Sequence, residues 1–247
     1  MHANRKIFDV LVLAASIMAI WQVLYWLLGE IALASPAQTV QQLWALLQTE
    51  KFWDDISETI RAMVAAAVIA VASGASLGVV LGIYRRSGEI AEPMLATLYS
   101  LPKVVLYPVV LLIFGLGISA RIAFGVMHGV IPIALFAMNA IRNIRPAVLR
   151  SALVMHLTKT QTMTTVIVPA ALPGIMTGIR IGVSTTLLGV LIGEMFAAKK
   201  GLGFRLMSAI GNQDIPSILA VALLLSIFAL GVNALLMVVD HRIHRRV

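Results

Sequence analysis

Glu194 is the acid whose sequence surroundings are the least ordinary. It follows Leu191-Ile192-Gly193 near the end of a long apolar run, Gly174 to Phe196. A carboxylate there must face protein or water, because a charge placed in hydrocarbon costs at least ~2.5–3.5 kcal/mol. Two roles satisfy that condition: lining or gating a solute pathway near its outer mouth, or closing a helix end against a neighbouring amide or cation. Lys103, between Pro102 and Pro108, is the cationic counterpart. The prolines distort a helix there, and freed carbonyls beside a cation suit the passage of polar cargo. A lysine snorkelling to the cytoplasmic headgroups fits the same residues. Arg180 carries a similar ambiguity, between a pathway cation and a bundle ion pair or headgroup contact. Asn139, Ser184, Thr185 and Thr186 can turn polar groups inward, either toward a pathway or to join helices.

Several other chemistries find no support. There is no His-Glu-x-x-His zinc motif, and His241-x-x-His244 sits in a basic tail. The phosphate-binding pattern Gly-x4-Gly-Lys-Ser/Thr is missing, so the chain does not carry that device for ATP hydrolysis. Cysteine is absent, which excludes disulfides, thiolate metal sites and a cysteine nucleophile.

The elements that must hold these residues are membrane helices. Of 247 residues, 60% are hydrophobic and only 12% charged, and the mean hydropathy is +0.96; soluble domains run at about half apolar and a quarter charged. With roughly 20 residues per span, the apolar stretches Ile7 to Leu28, Ala62 to Tyr84, Met94 to Phe114, Ile122 to Ile141, Gly174 to Phe196 and Pro216 to Val239 predict six transmembrane helices. The first run is too long for a signal-peptide core and reads as an uncleaved helix. After it, Ser35-Pro36 forms an N-cap with proline at the first helical position. Leu43, Leu46 and Leu47 follow at helical spacing, predicting a short amphipathic helix on the membrane surface. Gly78-x3-Gly82 in the second span predicts close helix approach.

The net charge of +8 could signal nucleic acid, but its distribution signals orientation. Arg5 and Lys6, Arg85 and Arg86, Arg142, Arg145, Arg150 and Lys159, and the tail Arg242, Arg245 and Arg246 share one side of an alternating six-span chain. Lys51, Arg61, Arg121, Lys199, Lys200 and Arg205 lie on the other, mixed with Glu30, Glu50, Asp54, Asp55 and Glu58. Both termini are therefore expected in the cytoplasm, with the basic residues meeting lipid headgroups and no nucleic-acid partner required.

One long cytoplasmic connection, about 143–173, stands apart. A helical stretch around Arg150 to Leu157 precedes a polar run, Thr158 to Thr162, and prolines at 169 and 173 are expected to bend the chain into an elbow beneath the bilayer. Its spacing resembles the EAA loop of bacterial ABC importer permeases: Glu-Ala-Ala, three residues, Gly, nine residues, Ile-x-Leu-Pro. Aligned on Pro169, this chain has Val166 and Val168 at the aliphatic positions, His156 for the glycine, and Arg150-Ser151-Ala152 for Glu-Ala-Ala. The stretch from Pro93 through Leu98-Tyr99-Ser100-Leu101-Pro102-Lys103 to Phe114-Gly115-Leu116-Gly117 resembles the nitrate, sulfonate, taurine and bicarbonate branch. Gly193-Glu194-Met195-Phe196 followed by Gly201-Leu202-Gly203 does so too.

That resemblance implies an all-α, polytopic membrane protein with a type I ABC importer permease-like (MetI-like) fold. Residues 1–58 would form the first helix and a periplasmic amphipathic helix, 59–240 a five-helix permease core, and 241–247 a basic tail. It implies a non-catalytic subunit in the bacterial inner membrane that binds no cofactor itself. Its partners would be a second copy, two cytoplasmic ATP-binding subunits carrying ATP and Mg, and a periplasmic solute-binding protein delivering a small anion. Coupling to the ATPase would fall on Arg150, Ser151, Ala152, His156, Leu157, Thr158, Lys159 and Pro169; the pathway would use Lys103, Asn139, Ser184, Thr185 and Glu194. His156 lacks glycine's conformational freedom, so its turn should be reshaped or strained, and Arg150 reverses the charge of the usual glutamate. A stand-alone secondary transporter or channel is the rival; it would be favoured by an inverted repeat, and none is evident.

Overall fold

The computed structural model describes residues 2–244, with side chains described for 8–10 and 12–238. Expectations resting on Arg5, Lys6, His241, Arg242, His244, Arg245 and Arg246 lie outside the described side chains. All regular structure among the described residues is helical. The helices are α1 (His2–Leu28), α2 (Pro36–Leu47), α3 (Glu50–Ile83), α4 (Arg85–Ser100), α5 (Tyr107–Phe114), α6 (Ile118–Arg142), α7 (Pro146–Val154), α8 (Lys159–Gln161), α9 (Val168–Ala197), α10 (Leu202–Gly211) and α11 (Ile215–His244).

Among the described residues, five helical segments are long and apolar enough to cross a membrane, and a bent pair, taken as one span, makes a sixth. The third span is that pair. Leu101 is extended, as the residue before a proline prefers, and a 3-10 turn at Lys103–Leu106 separates α4 from α5 with a bend of 88°. The sequence locates this distortion but reads one span, Met94 to Phe114, where two helices meet. The second span also starts earlier than expected, at Glu50 rather than Ala62.

At the centre, α6 packs between α3 and α9. Small residues bring the axes together: a Cβ on Gly78 would meet the Ala134 carbonyl and lie 2.6 Å from the Ala137 Cβ. This is the close approach expected of Gly78 and Gly82, and both are buried. The α2 helix has its expected cap, with Ser35 and Gln38 closing a reciprocal capping box. Its leucine face packs against the bundle. Leu43, Leu46 and Leu47 pack around Phe52 and Val221, and Gln42 donates to Ser217 at 2.8 Å.

The prolines of the long connection before the fifth span do not make the elbow. From Lys159 to Ala197 the chain is one helical span of 39 residues. Pro169 falls in the first turn of α9, where a missing N–H costs little, and the preceding Thr162–Ile167 is π-helical. Pro173 lies within α9. The reversal occurs earlier, between α7 and α8, at His156.

Candidate functional site

Two sites occupy opposite ends of this long helix. At the α7–α8 elbow, His156 adopts φ 50°, the left-handed region that glycine tolerates without cost. Its N–H donates to the Leu153 carbonyl at 3.0 Å, and the Leu157 N–H donates to Ala152 at 3.2 Å. These two bonds make a Schellman termination of α7. The turn therefore keeps the shape a glycine would give, and His156 bears the strain. Thr158 then starts α8 with a capping box closed by Gln161. Ala152 is buried beneath the elbow, whereas Leu153, Val154 and Met155 are 75%, 77% and 69% exposed. Arg150, Ser151, His156, Thr158 and Lys159 are also exposed, and Leu157 is half-buried. Pro169 stands beyond this face, in the first turn of α9.

At the other end, Glu194 is fully buried and fully engaged. The Thr59 hydroxyl, 2.9 and 3.0 Å from its two oxygens, donates to the carboxylate and accepts the Leu202 N–H at 2.9 Å. The Gly203 N–H donates to Glu194 Oε2 at 2.9 Å, and the Gly201 N–H donates to Asp55 Oδ1 at 2.9 Å. Two carboxylates thus cap α10, where unpaired amides and the helix dipole favour negative charge. Arg121 and Arg205 balance them: Arg121 reaches Glu58 at 2.8 Å and Glu194 at 3.6 Å, while Arg205 pairs with Asp55 at 2.8 Å. Gly201, at φ 114°, has no room for a side chain because a Cβ would enter the Glu194 carboxyl. Such a cluster holds α3, α6, α9 and α10 together at one end.

The remaining polar residues do not converge. Lys103 is 8% exposed and donates to the Tyr99 carbonyl at 3.0 Å, so it turns into the protein rather than toward headgroups. Asn139 is half-buried at the far end of α6, beside a cavity of about 570 Å³ that also meets Glu92 and Arg142. Ser184 is exposed and donates to its own helix at Arg180, whereas Thr185 donates across to the His128 carbonyl on α6 at 3.1 Å. Thr186 is buried and donates to Gly182 at 2.8 Å. Arg180 forms no ion pair among the described residues.

Sequence reasoning overlooked Asp55, Glu58, Thr59, Arg121 and Arg205 as a site. Asp55, Glu58 and Thr59 precede the apolar stretch that marks the second span, so the sequence does not show that they share one face of α3. The usable signal was the balance of acids and bases on the less basic side.

The helical bundle thus carries an exposed elbow at one end and a closed charge cluster at the other. Residues 74–247 match the family described as the binding-protein-dependent transport system inner membrane component, and the chain belongs to that family. It is a multi-pass transmembrane permease subunit of an ABC importer. Among relatives, a probable ABC transporter permease of Brucella melitensis is 25% identical over 215 residues, covering 87% of each chain. The taurine transport system permease of Escherichia coli is 24% identical, covering 85% of this chain and 79% of its own. The nitrate import permease of Synechococcus elongatus is 25% identical, covering 78% and 72%. The fold is similar to a chain of the MetNI methionine ABC transporter in an inward-facing crystal form, with a TM-score of 0.64 and 21% identity, covering 82% of this chain and 98% of that one.

Proposed function

We propose that two copies of this chain enclose a passage for a small anion, driven by two cytoplasmic subunits that bind ATP and Mg and dock on the α7–α8 elbow. A periplasmic binding protein delivers the anion to the opposite face, and both termini lie in the cytoplasm. The permease itself performs no covalent chemistry.

One observation carries the docking assignment: Leu153, Val154 and Met155 are consecutive and exposed at the turn, flanked by Arg150 and Lys159. A few adjacent apolar side chains amid charges suit a buried contact with a polar rim. Arg150 favours an acidic or neutral partner surface. The continuous helix from Lys159 to Ala197, roughly 58 Å at 1.5 Å per residue, links that contact to the Glu194 cluster. Displacement at the elbow would then bear on the far end along one continuous helical span. The cargo assignment draws on the taurine and nitrate permeases among the relatives, and on Lys103 and the polar faces of Asn139, Ser184 and Thr185 as pathway residues.

The test is co-purification of an ATPase with the tagged chain, comparing wild type with Leu153→Glu/Val154→Glu. The expected result is ATPase release while the variant stays in the membrane at normal levels. An ATPase retained by the variant would remove the elbow as its dock.

A further inference from the structure

Lys103 differs from buried Arg121 and half-buried Arg205. Arg121 and Arg205 each face a carboxylate, but Lys103, at 8% exposure, has no acid within ion-pair distance among the described residues. Its ammonium donates one hydrogen bond, to the Tyr99 carbonyl, and lies 5.2 Å from the centre of the Tyr99 ring. An ammonium carries three donors, so two are left over. A buried charge with no acid beside it is expensive in a membrane span, and its two further donors suit an anionic ligand.

Helix register brings His128 to the level of Lys103. Tyr107, one turn after Lys103, packs edge-on against Phe124 with ring centres 4.8 Å apart, and Phe124 packs against His128, one turn further along α6, at 4.6 Å. Because α5 and α6 run antiparallel through a short connection, Lys103 and His128 fall at adjacent stations. A carbonyl can only accept, so His128 Nδ1 donates to the Phe124 carbonyl at 2.9 Å, which in the neutral ring leaves Nε2 as the acceptor. Gly189 fixes the ring: a Cβ there would stand 2.8 Å from Nδ1.

We propose that Lys103 and His128 form a subsite for the oxyanion group of the cargo at the break in the third span. The two free N–H groups of Lys103 donate to a sulfonate, carboxylate or nitrate oxygen, and His128 Nε2 accepts from a hydroxyl or amine on the cargo, or from a water that accompanies it. The subsite rests on the reading that the cargo is an anion.

Methanesulfonate and its uncharged analogue dimethyl sulfone are titrated into the purified full-length chain carrying ¹⁵N-histidine, with the His128 resonance assigned by its loss in His128→Gln. Methanesulfonate should shift that resonance saturably, and dimethyl sulfone should not. The shift should vanish in Lys103→Met and persist in Lys103→Arg. In the reconstituted importer, Lys103→Met should raise the KM for an anionic cargo at least tenfold while ATP hydrolysis continues. Equal shifts with both probes, or an unchanged shift and KM in Lys103→Met, would overturn the subsite while leaving anion transport standing. Transport restricted to uncharged solutes would remove the anionic cargo, and with it the role of this subsite in transport.

Discussion

Arg121, in the first turn of α6, reaches the buried carboxylate of Glu194 near the end of α9, with Nη1 3.6 Å from Oε1, while its Nη2 holds Glu58 on α3 at 2.8 Å. One guanidinium thereby serves two acids from two other helices. Removing it leaves Glu194 in a closed site without its cation, and breaking a buried pair from one side typically costs about 3–5 kcal/mol. Arg121→Met should lower the thermal unfolding midpoint in detergent more than Glu194→Gln, which keeps a side chain able to bond Thr59 and Gly203. The double variant should be less destabilised than the sum of the two. Simple additivity would show that the 3.6 Å contact contributes nothing.

Gly201 is where the cluster leaves no space. Its φ of 114° disfavours any side chain, and a Cβ would run into the Glu194 carboxyl. Gly201→Ala should destabilise by on the order of 2 kcal/mol or more, combining backbone strain with displacement of a buried acid. Gly231→Ala, where nothing lies within 4 Å of the added carbon, is the matched control and should be near neutral or stabilising. The unfolding midpoints of the two variants make the comparison.

At the elbow, His156 holds φ 50° at a cost of about 1 kcal/mol relative to an unstrained residue. His156→Gly removes that strain, so amides of residues 153–158 should exchange hydrogen more slowly with the turn unchanged. His156→Val, β-branched in a left-handed position, should speed exchange across the same segment. Equal protection in both variants would mean that the turn does not depend on residue 156.

The helix contact at Gly78 should tolerate least of all. A side chain there must displace the Ala134 backbone or the Ala137 methyl, and neither yields as a flexible side chain would. Gly78→Leu is expected to abolish the folded protein, seen as loss of the monodisperse species in detergent, whereas Gly211→Ala, open on all sides, should leave it intact.

Most of the span positions were legible because hydrophobic length is a one-dimensional property. The glycine spacing at 78 and 82 was legible for the same reason: helical period places both on one face. The bend at Leu101 and Pro102 could be located but not measured, since a proline pair fixes local angles without saying where the next helix points. The elbow was misassigned to Pro169 and Pro173 because sequence does not show that a π-helical turn precedes the first and that the first falls at a helix start. The Glu194 cluster was illegible beyond its central acid. Thr59 and Glu194 are 135 positions apart, and only the packing of α3 against α9 brings them to 2.9 Å. His128 escaped notice because an isolated histidine in an apolar run carries no spacing signal of its own.

The central claim is that this permease is driven by ATP through a partner docked at the elbow. It is tested most directly by loading proteoliposomes containing the permease and its co-purified ATPase with ATP, adding the cognate binding protein charged with labelled anion outside, and measuring accumulation inside. The predicted result is uptake that needs ATP and the binding protein and is lost in Leu153→Glu/Val154→Glu. Uptake that proceeds without ATP, or follows an imposed ion gradient instead, would contradict it and identify a stand-alone transporter.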